Sequence, residues 1–427
     1  MTDNFGDKSR KYYETHPWIS FGFDLRKLTC PDWVHLGEAL AKCDHIANVA
    51  LPPAVSYRLH QLYVVRGVLG SAQIEGNALT EDQAMAQLHG NLELPETQEY
   101  HAKDFDNIRA ASEMVAQEVA QGHDLRLTPA RIKQFNTMVL DGQPIEPGVI
   151  PGTIRTFGIT VGNVYTGPPA DDCEYLLEEL CAWLDSMMND ARALGPEWER
   201  SIGVIRAILA HLYLAWIHPF GDGNGRTARL IEFQLLLAAG FPTPACHLLS
   251  NYYNKTRSLY YQALRETSQV EGYPVQRFAS YAIKGFVEEL HDQVDVIQQN
   301  QLGQAWLSMV SEVDLGRQEG TSSRRRALLL ALDAGSQEDF TPLESLDRLN
   351  PNIAALYAKK HPKTMTRDIN VLLERNLLLL NAEGNGVRPA FEQLFRFLPI
   401  RKAPTEEELA DKENALSLAA TMTRTTP

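Results

Sequence analysis

The residues best placed to do chemistry stand in one run, His218-Pro-Phe-Gly-Asp222-Gly223-Asn224-Gly225-Arg226-Thr-Ala-Arg229. His218 has the intrinsic pKa of a general base at neutral pH. Glycines let the backbone approach an anion closely and present N–H groups to it. Arg226 and Arg229 are three apart, so on a helix they share a face. Cations in a first turn oppose the helix dipole, and a bound anion resolves that conflict. Asp222 makes sense among anion-binding groups as a ligand for a divalent metal on phosphates. Taken singly, a His-Pro pair, a Gly-x-Gly and two arginines are ordinary features of turns and solvated faces. Together they describe a polyphosphate site with a base at its edge.

Two helices must carry this run. Ile205, Ile208, Leu209, Leu212 and Trp216 recur at helical spacing before it. Pro219 and the glycines then break that helix. Leu230, Phe233 and Leu237 continue a second one as far as Gly240.

A second stretch, Ser71-Ala-Gln-Ile-Glu75-Gly76-Asn77, closes a helix that begins after Pro52-Pro53. Gly76 and Asn77 are helix-stopping residues. Ser71 and Glu75 lie one turn apart on one face. A carboxylate at a helix C-terminus meets the unfavourable end of the dipole. It is either an exposed cap or held by something else. Pro144 to Pro169 differs from the rest, with Ile154, Phe157, Ile159, Val161 and Val164 interleaved among Pro, Gly and Thr. This predicts a β-hairpin with its tip near Gly162-Asn163.

The 218–229 run resembles, without departure, the signature His-Pro-Phe-x-Asp/Glu-Gly-Asn-Gly-Arg-x-x-Arg of the Fic family. Fic enzymes transfer AMP from ATP to a hydroxyl side chain of a protein, and resemblance implies the same here. His218 would deprotonate a target Ser, Thr or Tyr, and Asp222 would hold Mg²⁺ (or Mn²⁺). Gly223, Asn224 and Gly225 would form the anion hole. Arg226 would contact the phosphates and Arg229 the γ-phosphate. Related Doc kinases carry Lys where this chain has Gly225. The 71–77 stretch resembles the inhibitory motif Ser/Thr-x-x-x-Glu-Gly/Asn of class II members. The resemblance implies that Glu75, with Ser71 and Gly76, pairs with Arg229 and blocks productive ATP binding. The hairpin, preceded by Gly152 to Arg155, is similar to the flap that adds a target segment as a strand. Val161, Gly162 and Asn163 would lie in it, although a connecting hairpin would read the same way. Tyr260-Tyr261 resembles a tyrosine pair bordering the nucleoside, but a helix with core aromatics carries the same pattern. Ser268 lies where the family often has Asn. The resemblance covers roughly 54 to 290. Transfer of UMP or phosphocholine, removal of AMP, and a DNA-binding regulator with a nucleotide-sensing domain are the alternatives.

Composition narrows the setting. The hydrophobic share of 44% is ordinary for a globular chain. No run approaches the roughly 18 consecutive apolar residues of a membrane span. Met1 to Arg10 lacks the apolar core of a signal peptide. The five cysteines, Cys30, Cys43, Cys173, Cys181 and Cys246, form no Cys-x-x-Cys pair. A cytoplasmic protein with free thiols and no membrane partner is expected. The net charge of −14 argues against broad nonspecific nucleic-acid binding.

The fold expected is mostly α: a Fic-type helical core with a β-hairpin flap, plus a C-terminal winged helix-turn-helix. The divisions expected are a helical leader at 1–53, the Fic domain with its inhibitory helix at 54–314, a winged helix at 323–402 and a disordered tail at 403–427. Between Gly316 and Ser323 a polar linker is expected. Thr364-Met-Thr-Arg367-Asp-Ile369 resembles the recognition helix of winged domains at the end of many Fic proteins. From 323 to 402 there are 13 Lys+Arg and 9 Asp+Glu, a net +4 that leaves −18 on the remainder. That suits DNA contact, while protein docking or dimerisation fits the same fold. The expected partners are therefore a hydroxyl-bearing protein, this chain included, DNA, and a second copy.

Overall fold

A computed structural model describes residues 10–162, 164–316, 318–332, 340–361 and 363–395. Asn163 and the expected tail at 403–427 lie outside the described residues, as do 1–9 of the leader and 396–402 of the expected winged helix. The described chain is mostly helical and divides into two compact units between Ile297 and Gln298.

At the centre of the first unit is the helix Pro196–Ile217. It is apolar on every side after its first turn, and from Ile202 to Leu214 every residue is buried. A helix of that kind belongs in a core. It is long and apolar enough to cross a membrane by length and composition, and 83% of the relevant window is buried by the surrounding protein. Gly195 and Pro196 start it, and it ends at His218 in a left-handed conformation, φ 45°. The Asn224–Ala238 helix returns against it. Cys173–Leu194 covers it on another side. Leu176, Leu177, Leu180, Leu184 and Met188 form the buried stripe of that covering helix at helical spacing.

Three more helices complete the support of the 218–229 loop. Glu99–Ala120 and Pro129–Val139 both pack on Asn224–Ala238. Thr128 caps the second of these, accepting the Arg131 N–H at 3.1 Å. Pro53–Ile74 packs closely on Leu248–Lys255. A Cβ built on Gly67 would come within 2.2 Å of His247 Cβ, so this helix contact needs glycine. Thr80 and Gln83 form a capping box and start Glu81–Leu88.

The expected hairpin is present but short. Thr160–Val161 pairs antiparallel with Tyr165–Thr166, in the register Thr160↔Thr166 and Val161↔Tyr165. The apolar residues further out, Ile154 and Phe157, do not extend these strands. Ile154 instead bridges to Phe220 in the 218–229 loop. Ladder pairing in this segment is therefore exchanged for anchorage to the site.

The second unit has its own apolar core, with Trp306, Leu328, Leu346, Ile353, Leu372 and Val387. Helices Glu319–Leu332, Pro351–Tyr357 and Lys363–Glu374 accompany a three-stranded antiparallel sheet. In that sheet Gly386–Pro389 lies between Thr341–Pro342 and Leu378–Leu380. The helix from Glu319 begins inside the stretch expected to be a linker, and the helix before it spans Val275–Glu312. Some of the basic residues behind the net +4 of this segment are turned inward. Arg324 and Arg325 both donate to Asp368, at 2.7 and 2.8 Å, and Arg326 donates to the Val310 carbonyl at 3.0 Å.

Candidate active site

The loop between the two central helices is built by its own side chains. Asn224 accepts the Phe220 N–H at 3.0 Å and donates to the Phe220 carbonyl at 2.9 Å. Its amide group thus closes the turn, leaving its backbone rather than its side chain for an anion. Gly223 begins the second helix at φ 75°. A Cβ there would lie 2.9 Å from Asn136 Nδ2 and 3.1 Å from Leu140 Cγ.

Asn136 is fully buried and was not singled out in the sequence. It donates to the Asp222 carbonyl at 2.8 Å and accepts the Gly152 N–H at 2.9 Å. Arg155, 4% exposed, does similar work from the flap side. Its guanidinium donates to the carbonyls of His218, Phe157 and Pro168 at 2.8, 2.7 and 2.6 Å. Its backbone N–H donates to the Pro219 carbonyl at 2.9 Å. A planar fork suits three carbonyls arranged this way. The flap base is thereby tied to the histidine it flanks, and a Cβ on Gly167 would sit 3.6 Å from His218 Cβ.

His218 donates from Nδ1 to the Ala215 carbonyl at 3.2 Å. A carbonyl can only accept, so the neutral ring carries its proton on Nδ1 and its lone pair on Nε2. Burial pushes the imidazolium down to about 4, against the Ala215 hydrogen bond and the Glu75 charge. At neutral pH the ring is therefore an unprotonated base. Its left-handed backbone is uncommon outside glycine, and it is a conformation often found at functional sites.

Around this base the charged groups are paired. The Asp222 carboxylate is 43% exposed and accepts its neighbour's N–H, from Gly223, at 2.5 Å. Arg226, 8% exposed, donates to Asp104 at 2.7 Å and approaches Asp222 at 3.4 Å. Arg229, 2% exposed, donates through Nε to Ser71 Oγ at 2.9 Å. Its Nη2 donates to the Ser71 carbonyl at 2.9 Å and to Glu75 Oε1 at 2.7 Å. Burial works to raise the Glu75 carboxyl, but Arg229 and Arg226 outweigh it and hold its pKa below the usual range. Glu75 caps its helix and Gly76 follows in a left-handed turn, φ 95°.

The two tyrosines separate. Tyr260 is buried and bonded to His211 Nε2 at 2.9 Å, in a network with Glu232 and Tyr253. Tyr261 is 47% exposed and donates to the Ile74 carbonyl at 3.4 Å. Val161 is exposed on the hairpin, Gly162 sits at its turn with φ 53°, and Gln269 holds the Val164 carbonyl at 2.9 Å. Asn136 and Asp104 carry no sequence signal beyond being polar residues on amphipathic helices. Only their place on the buried faces marks them.

A model of the Fic/DOC family matches residues 126–236. Over 214 residues the chain is 28% identical to protein adenylyltransferase fic-1 of Caenorhabditis briggsae, covering 50% of this chain and 38% of that protein. Over 242 residues it is 30% identical to protein adenylyltransferase Fic of Drosophila grimshawi, covering 55% and 43%. The chain therefore spans less than half the length of these curated relatives. Among solved structures, a Fic family protein from Desulfovibrio desulfuricans G20 is similar in fold, with a TM-score of 0.51 at 19% identity over 84% of this chain and 96% of that one. The signature at 218–229 lies inside the segment, residues 126–236, that matches the Fic/DOC family model.

Proposed function

We propose that the chain is a protein adenylyltransferase, moving AMP from ATP to a Ser, Thr or Tyr hydroxyl of a protein, itself included. We infer further that Glu75 holds it inactive. The observation that carries the reading is the pair of commitments at the site. His218 Nδ1 is bound to Ala215, which leaves Nε2 open, and Arg229 is bound to Glu75 and Ser71.

In this reading the hydroxyl oxygen attacks the α-phosphorus of ATP. The bond from that phosphorus to the bridging oxygen breaks, and pyrophosphate leaves. The hydroxyl proton passes to His218 Nε2. Backbone amides of Gly223, Asn224 and Gly225 take the phosphates at the helix N-terminus. Arg226 steadies the phosphates and Arg229 the γ-phosphate. Tyr261 borders the nucleoside, with Tyr260 backing it from the core. The target segment pairs with the short flap strand at Thr160–Val161, so main-chain bonds tolerate varied targets.

Asp222 fits a magnesium or manganese ion shared with the substrate. Among the described residues no three His, Cys, Asp or Glu side chains gather as a metal cage. Mg²⁺ commonly takes one or two protein carboxylates and fills its shell with phosphates and water. When bound, such an ion neutralises charge on the phosphates.

The inhibitory role follows from occupancy. While Glu75 holds Arg229, the γ-phosphate lacks its partner and ATP seats unproductively. The test is mass spectrometry of proteins from a cell extract after incubation with ATP and the Glu75→Gly variant. An added AMP on a hydroxyl residue supports the reading. Transfer of UMP or phosphocholine, or loss of AMP from a modified protein, would replace it.

We read the second unit as a winged helix-turn-helix that contacts DNA. With Arg324 and Arg325 paired internally, the exposed Lys359, Lys360, Lys363, Arg367 and Arg375 are among the groups left for phosphates. Binding in a DNA-shift assay that weakens steeply with salt supports this. No shift would turn the unit toward protein docking.

A further inference from the structure

The arginine that faces the phosphates in the proposed function has a partner outside the signature. Arg226 Nη1 donates to Asp104 Oδ1 at 2.7 Å, and both side chains are nearly buried, at 9% and 7% exposure. The other Asp104 oxygen is held in turn. Asn77 Nδ2 donates to Asp104 Oδ2 at 3.0 Å and to the His101 carbonyl at 2.8 Å. Asn77 Oδ1 accepts the Leu79 N–H at 3.0 Å, which fixes which end of the amide faces Asp104. Each link is short and buried, and neither oxygen of Asp104 is free to rotate away.

What remains of the Arg226 head is informative. Nη2 reaches toward the exposed Asp222 carboxylate at 3.4 Å, too long for a strong bond. Nε is buried with no hydrogen-bond partner in the structure. A buried guanidinium N–H without an acceptor is costly unless something arrives to accept it. Asp104 thus pins one end of the fork and leaves donors beside the loop, where a phosphate oxygen can accept them.

We propose that Asp104 is a positioning residue for Arg226, and that Asn77 orients Asp104. This rests on the adenylyl-transfer reading for the identity of the ligand as ATP. Asn77 lies two residues after Glu75. The turn that masks Arg229 therefore also sets the aim of Arg226, and both arginines answer to one segment of chain.

The test is a double-mutant cycle on ATP affinity, measured by calorimetry with Mg²⁺ on the full chain in the Glu75→Gly background. Asp104→Asn is expected to weaken ATP about tenfold, the size of one charge-assisted hydrogen bond. Arg226→Ala is expected to weaken it at least as much. The combined variant should bind no worse than Arg226→Ala alone, because Asp104 acts only through Arg226. A purely structural Asp104 would give additive losses, and that result overturns the proposal, as does an unchanged affinity for Asp104→Asn. If Asp104→Asn does not fold by thermal melt, Asn77→Ala takes its place in the same cycle with the same non-additivity expected. A Glu75→Gly chain that binds ATP but transfers no AMP would sink the transfer reading alone, and the cycle would still decide the role of Asp104.

Discussion

The Glu75 carboxylate fills the space that a side chain at position 225 would need. A Cβ built on Gly225 would lie 2.1 Å from Glu75 Oε1 and 3.1 Å from Arg229 Nη1. The glycine of the signature and the glutamate of the 71–77 turn are therefore complementary in shape. Gly225→Ala should push the flexible end of Glu75 off Arg229. It is expected to lower the melting temperature in the wild-type background and to do so much less in Glu75→Gly, where there is nothing to displace. Equal losses in both backgrounds would separate Gly225 from the lock.

His218→Ala should reduce AMP transfer by about 10²–10⁴-fold while ATP affinity holds. Calorimetry beside the labelled-ATP assay checks both. A large loss of ATP affinity would give His218 a binding role instead.

The same imidazole has a consequence for stability. Its folded pKa of about 4 lies below the ordinary unfolded value near 6.5. The unfolded chain therefore binds its proton first as pH falls. The contribution is complete above pH 6.5 and lost as pH drops from there toward 4, on the order of 1 kcal/mol per pH unit. His247, pushed to about 3 by burial, titrates in the same direction. The readout is therefore the difference between wild type and His218→Gln in denaturant midpoints across pH 4 to 7. The variant should show the shallower loss, and parallel curves would contradict the assigned protonation state.

Arg155→Lys should destabilise the fold by about 2–4 kcal/mol, since lysine cannot serve three buried carbonyls at once. Urea unfolding measures it. A change under about 0.5 kcal/mol, ordinary for a surface site, would deny Arg155 its place between flap and loop.

These sites differ in how legible they were from sequence. The 218–229 run could be read because its glycines, arginines and histidine conflict with an ordinary helix start. Glu75 could be read because a carboxylate at a helix C-terminus needs a reason. Thr128 and Thr80 announced their helices through local capping, which depends only on near neighbours. Asn136, Asp104 and the reach of Arg155 were hidden, because their partners come from other helices and periodicity says nothing about which buried polar groups meet. Arg324 and Arg325 misled a charge count for the same reason, with Asp368 sitting 43 or more positions away in the chain. The hairpin was legible as a pattern, but its length was not. Ile154 pairs with Phe220 rather than with its own return strand.

Arg229→Ala should free Glu75 without activating the enzyme, because the γ-phosphate contact is lost with it. It should also destabilise by about 3–5 kcal/mol, leaving Ser71 and Glu75 without their cation. Activation by this variant, followed by labelled-AMP incorporation, would show that Arg229 has no part in seating ATP.

The central claim is that the Glu75–Arg229 contact is a regulatory lock on AMP transfer. The most direct measurement is incorporation of AMP from α-labelled ATP by wild type and Glu75→Gly side by side, with thermal melts to show that both are folded. Coupling of this kind typically amounts to about 1–3 kcal/mol, so the variant should exceed wild type by roughly 5- to 150-fold. Equal rates would remove Glu75 from the inhibitory role, and a lower rate in the variant would contradict the account by giving that carboxylate a productive use.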